Sequence, residues 1–135
     1  MQLAPRSFCV LWILFIGVHA FGQPVTQPVP ATRPAAAILH EPDMPIKGAA
    51  SSPETIAAIL RRAGLHTRLI SARETADQSI LNPTAFDILV LPTGESFPVE
   101  ARDNVVQFLR DDGCLIAMGG YAFNHLLRFE NEQWQ

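Results

Sequence analysis

The stretch Phe86-Asp87-Ile88-Leu89-Val90-Leu91-Pro92 constrains the fold most. A branched apolar run this continuous, followed by the loop-forming Thr93-Gly94-Glu95-Ser96, fits a strand buried on both faces, which requires a parallel sheet with helices on either side. The segments around it repeat that logic. Ala35-Ala36-Ala37-Ile38-Leu39-His40 is a second short apolar run, closed by the turn-rich Glu41-Pro42-Asp43-Met44-Pro45. Leu65 to Ile70 and Leu115-Ile116-Ala117-Met118 complete a set of four strands.

Helical segments separate these strands. Ser52 is placed to cap a helix with Pro53 at its first position, Ile56, Ile59, Leu60 and Ala63 on one face, and Gly64 at its end. Ser71 to Leu81 predicts a weaker helix that stops before Asn82-Pro83. Pro98 opens a third, with Arg102, Val105, Val106 and Leu109 at helical spacing before Asp111-Asp112-Gly113. Ser96 is expected to cap it. The order β-α-β-α-β-α-β with right-handed crossovers predicts an α/β fold: a flavodoxin-like open parallel sheet in three α/β/α layers. Only seventeen residues follow Met118. They suffice for one more helix, from about Phe123 to Phe129, so the domain reads as truncated after strand four, with an exposed edge.

The N-terminus follows different rules. Phe8 to Val18 is an apolar run of eleven residues, preceded by Arg6 and followed by the small residues Ala20 and Gly22. This is the order of a secretory signal peptide and too short for a membrane span, which needs roughly 20 residues. Residues 1–20 are therefore expected to be a signal peptide, with the cut after Ala20 or after Gly22, and the chain to be secreted or periplasmic; left uncleaved, the same run would hold it at a membrane. Four prolines within residues 23–34 mark an extended linker, and the domain proper covers 35–135. The formal charge of the whole chain is −3. Cleavage after Ala20 removes Arg6 and leaves 115 residues at −4, with Arg61-Arg62 the only adjacent basic pair, so no nucleic-acid partner is expected. Cys9 leaves with the leader, and Cys114 stays alone with no disulfide to make.

In an open parallel sheet ligands sit at the C-terminal strand ends, which selects Glu41 to Gly48, Ser71 to Arg73, Pro92 to Phe97 and Gly119 to Asn124. No familiar cofactor chemistry fits these loops. The first carries two acids and two prolines where a flavin phosphate cradle would need Ser, Thr and Gly; no Gly-x-Gly-x-x-Gly occurs; and Asp87 begins its strand instead of ending it, as a phosphoacceptor would. His40, Glu41 and Asp43 cluster without a second ligand group, His66 reads as a surface histidine and His125 as part of the last helix, so neither metal nor cofactor is expected. Cys114 precedes the fourth strand, at the end opposite the rim, and reads as a small buried hydrophobe.

The run from Phe86 to Pro98, then a helix, then Asp112-Gly113-Cys114-Leu115-Ile116-Ala117-Met118-Gly119-Gly120-Tyr121, resembles the class I glutamine amidotransferase-like superfamily. Within it the likeness, from about Ala36 to Phe123, is to non-amidotransferase branches such as the trimerisation-type domains of secreted β-galactosidases. The resemblance implies a cysteine nucleophile on a tight elbow after the fourth strand, a position that falls here on Gly119, or on Gly120 if the register slips by one. Neither residue can attack a substrate. Thr93 replaces the first glycine of the loop that helps form the oxyanion site, while Gly94 and Gly119 persist as structural turns, with Gly120 beside them.

The resulting expectation is a secreted, non-catalytic domain for assembly or ligand binding, the front of a larger carbohydrate-active or envelope protein. No catalytic residue is assigned. Glu95, Ser96, Tyr121 and Asn124 are the rim groups able to hydrogen-bond a ligand, with carbohydrate as a candidate, and the open sheet edge is the candidate contact with a protein partner or a second copy. Two alternatives stand beside it: a hydrolase using the carboxylates of Glu41, Asp43 or Glu95, and an inactive structural fragment.

Overall fold

The computed structural model describes residues 33–135. The expected signal peptide and all of the linker before Arg33 lie outside them. The protein is a mixed α/β fold with a parallel four-stranded sheet. β1 (Ala35–Leu39), β2 (His66–Ile70), β3 (Ile88–Leu91) and β5 (Cys114–Ala117) lie in the order β2-β1-β3-β5, all parallel. Asp87, just ahead of β3, accepts the Ala35 amide at 2.7 Å through its carboxylate and so sets the start of β1. Among the described residues no helix is long and apolar enough to cross a membrane.

The two central strands are buried throughout their middles. Ala36, Ala37, Ile38, Leu89 and Leu91 have no or almost no exposed surface. Alternate residues face opposite layers, as strand geometry demands. Ala37, Leu39, Leu89 and Leu91 join Ala72, Ala101, Val105 and Phe108 in one core, whereas Ile38 and Val90 join Ile56 and Ala57 in a smaller one. α1 (Pro53–Arg62) thus covers one face, and α2 (Ala72–Ala76) with α3 (Arg102–Arg110) the other.

Local chemistry explains the boundaries. Ser52 caps α1 by accepting the Thr55 amide at 3.2 Å, Pro53 sits at the first position, and Gly64 follows the helix at φ +92°. Ile59 points outward, so the buried residues of α1 are Ile56 and Ala57, not the broader set its spacing suggests. α2 opens on a reciprocal capping box between Ser71 and Glu74 but ends at Ala76, five residues short of expectation. The Asp77 carboxylate takes both the amide and the hydroxyl of Ser79, and a local side-chain bond of this kind competes with the helix. Buried Asn104 of α3 then donates to the carbonyls of Thr75 and Leu81, tying the end of α2 and the turn after it to α3.

The second half departs further from the sequence reading. Ser96–Pro98 is a strand, β4, followed by a 3-10 turn at Val99–Ala101 before α3 starts at Arg102. The turn has Pro98 at its cap position and no side-chain cap bond, so Ser96 caps nothing. The helix expected from Phe123 to Phe129 does not form. In its place β6 (His125–Leu127) runs parallel to β4, and β7 (Phe129–Glu130) pairs antiparallel with β8 (Gln133–Trp134). Asn131 and Glu132 link β7 and β8, both with positive φ, the two-residue turn whose twist matches a hairpin.

Candidate functional site

Three loops meet at the C-terminal ends of the sheet: residues 40–52 after β1, 92–95 after β3 and 118–124 after β5. The middle loop is the hub. Gly94 donates its amide to the Met118 carbonyl and accepts the Phe123 amide through its own, both at 2.7 Å. A side chain at Gly94 would bring its Cβ to 2.7 Å from that of Ala117, so close contact between the loops requires glycine. Ser51 donates to the Pro92 carbonyl at 3.3 Å, and Lys47 reaches the Ser96 hydroxyl with its amide at 3.4 Å.

Of the expected rim groups, Glu95 and Asn124 come together. The Asn124 amide nitrogen donates to Glu95 Oε1 at 3.3 Å, and the other carboxylate oxygen lies against Gly48 and Gly120, where a Cβ would collide with it. Glu95 also accepts the His125 amide through its backbone carbonyl at 2.8 Å. Ser96 is fully buried, beneath the rim and not on it, and Tyr121 is 84% exposed, standing off the surface. His125, in a strand instead of a helix, has a buried Nδ1 with no hydrogen-bond partner.

Gly119, directly after β5, leaves no space for a side chain. Its φ is +74°, and any Cβ there would run into the carbonyl oxygen of Ala49. Any side chain at that position would have to displace the first rim loop. In that first loop Glu41 accepts the Ala72 amide at the start of α2 at 3.0 Å, and neighbouring His40 faces Glu54 of α1 at 3.4 Å. Hydrogen bonding from Ser52, foremost, holds the Glu54 carboxyl below its usual range. Among the described residues no group of three or more histidine, cysteine or acidic side chains gathers as a metal site would.

The strand order reverses between β1 and β3, and a hollow of about 150 Å3 lies at that point, lined by His40, Met44, Ile46, Ser51 and Thr93 among others. Sequence reasoning missed a larger feature, an apolar groove of about 330 Å3 between α3 and the 123–127 segment, walled by Phe97, Val106, Leu109, Phe123 and Leu126. Its signal was available: Val105-Val106 and Phe108-Leu109 make the apolar stripe of α3 too wide for one contact face. Cys114 was misread. It is exposed, at the start of β5, the terminal strand of the sheet among the described residues.

No family model matches the chain, and neither a curated protein nor a solved structure matches it.

Proposed function

We propose that the protein is an exported, non-catalytic assembly domain of flavodoxin-like strand order, related to the amidotransferase-like scaffold, which associates with a second copy of itself through β5. The observation that carries this reading is the state of that strand. Among the described residues β5 is paired only on its β3 side, and its four residues, Cys114-Leu115-Ile116-Ala117, include no charge and no proline. Ile116 is 44% exposed. A row of free N–H and C=O groups of this kind is a template for another strand, and a two-fold axis through identical edges pairs them antiparallel. The strand order β2-β1-β3-β5 agrees with the flavodoxin-like reading, in which a further strand would occupy the place the second copy takes.

Sedimentation velocity across a concentration series tests the reading. The parent chain should pass from monomer to dimer, and Ile116→Lys, which puts a charge into the paired face, should stay monomeric with unchanged circular dichroism. A parent chain that remains monomeric at the highest concentration, or a variant that dimerises equally well, removes β5 as the contact.

A further inference from the structure

We infer that the hollow between α2 and the C-terminal hairpin is a binding site for a neutral, polyhydroxylated ligand, a sugar, separate from the β5 edge and from Glu95. The hollow measures about 390 Å3, within the range of small-molecule pockets. Its space is written into α2: Ala72 and Ala76, four residues apart and so on one helix face, leave room that larger apolar residues would have filled. Opposite them stand Trp134 and Phe129, edge to face with centroids 5.2 Å apart. Trp134 is anchored, since it packs against the main core.

The charged groups come from three successive connections that leave the C-terminal ends of strands, where ligands of such sheets bind. Glu41 follows β1, Arg73 follows β2 and Glu100 lies beyond β3. Their existing partners decide the ligand's chemistry. Glu41 accepts the Ala72 amide with Oε2, and Glu100 faces Arg128 at 3.9 Å, so both carboxylates keep spare acceptor capacity. Arg73 makes no ion pair or side-chain hydrogen bond among the described residues and offers donors. Arg73 and Arg128 stand against Glu41 and Glu100, so the fixed charges around the hollow offset one another and select neither a cation nor an anion. A purely apolar molecule would strip water from these groups and return nothing. A ring with an apolar face for Trp134 and Phe129, and hydroxyls that both donate and accept, satisfies every group at once.

The test follows the indole Nε1–H resonance of Trp134, assigned with Trp134→Phe, during titration of the full chain with cellobiose, maltose, lactose and mannobiose. Tetramethylammonium, glucuronate and leucine serve as cationic, anionic and zwitterionic comparisons. At least one neutral disaccharide should shift the signal saturably, with a dissociation constant on the order of millimolar. Ala76→Leu should weaken that binding by roughly tenfold or more by filling the hollow. Arg73→Met and Glu100→Gln, both on exposed side chains, should weaken it several-fold while the remaining spectrum stays in place. Silence with all four disaccharides, a saturable response only to a charged or zwitterionic probe, or undiminished binding by a folded Ala76→Leu variant, would each overturn the inference. None of these results depends on whether β5 pairs.

Discussion

At one edge of the four-stranded sheet β2 presents His66, Thr67 and Arg68, with His66 and Arg68 exposed; at the other, β5 presents Cys114, Leu115, Ile116 and Ala117. Among the described residues both are terminal strands of one sheet, each paired on its inner side only. Only the first is defended. Arg68 is held in place by an ion pair with Glu74 of α2, so that a fixed charge flanks this edge. Charged side chains on an edge oppose strand addition, because pairing would desolvate them. The contrast is one of side chains: among the described residues β2 carries an ion-paired charge where β5 carries none.

The largest expected effect comes from removing that defence. Arg68→Leu should make β2 resemble β5 and give each molecule two pairing edges, so that dimers extend into linear polymers instead of closing. Analytical ultracentrifugation should show species well beyond the dimer. Combining Arg68→Leu with Ile116→Lys should transfer pairing from one edge to the other and return a dimer. If Arg68→Leu leaves the size distribution unchanged, the charge on β2 is not what keeps that edge free.

Acid should weaken the same defence more gently. Hydrogen bonding from the Ser71 backbone, first, and the charge of Arg68 hold the Glu74 carboxyl below its ordinary value of 4.5. A carboxylate with a depressed folded-state pKa contributes stability that is present above about pH 4.5 and is lost as pH falls through the lower folded value. Protonation there removes the partner of Arg68 and one half of the α2 capping box together. As pH falls through that lower folded value, association through β2 should rise in the Ile116→Lys background, and Glu74→Gln should bring the same association to neutral pH. An Ile116→Lys protein that stays monomeric throughout an acid titration while still folded would separate Glu74 from edge protection.

The difference between the edges was half legible in the sequence. The central strands and α1 announce themselves because a buried strand needs a continuous apolar run and a helix needs its Ser52-Pro53 start; Ile38, Val90 and the Ser52 cap stand where those patterns put them. Four strands of one sheet were legible from their apolar runs. The exposure of Cys114 was not, because burial depends on a neighbouring element that no local pattern encodes. Likewise β4, β6, β7 and β8 span two or three residues each, too few to show a period of two. At the rim, the placing of Glu95 and Asn124 on neighbouring loops followed from the rule that loops converge at strand C-termini, but their hydrogen bond to each other did not. The hollow beside Trp134 did not, since Glu41, Ala72 and Trp134 meet only in the folded chain.

The smallest effect lies at the turn that delivers the chain into β5. Asp112 follows α3 at φ +70°, and the amide of Gly113 donates to the Phe108 carbonyl at 2.9 Å, so the helix ends in a Schellman arrangement whose left-handed position holds aspartate instead of glycine. A side chain there meets a backbone conformation it disfavours, and a negative charge just past a helix C-terminus faces the unfavourable end of the dipole. Asp112→Gly relieves both, and should stabilise the fold by about 0.5–1 kcal/mol. Urea unfolding is best compared in the Ile116→Lys background, because the stability of a self-associating chain shifts with its concentration. A higher midpoint with an unchanged slope is the expected outcome, and the same substitution in the parent chain should leave the dimer dissociation constant where it was. A change in that constant as well would mean that the turn positions the β5 edge for pairing, so that the open edge is shaped by its entry loop and not by its four residues alone.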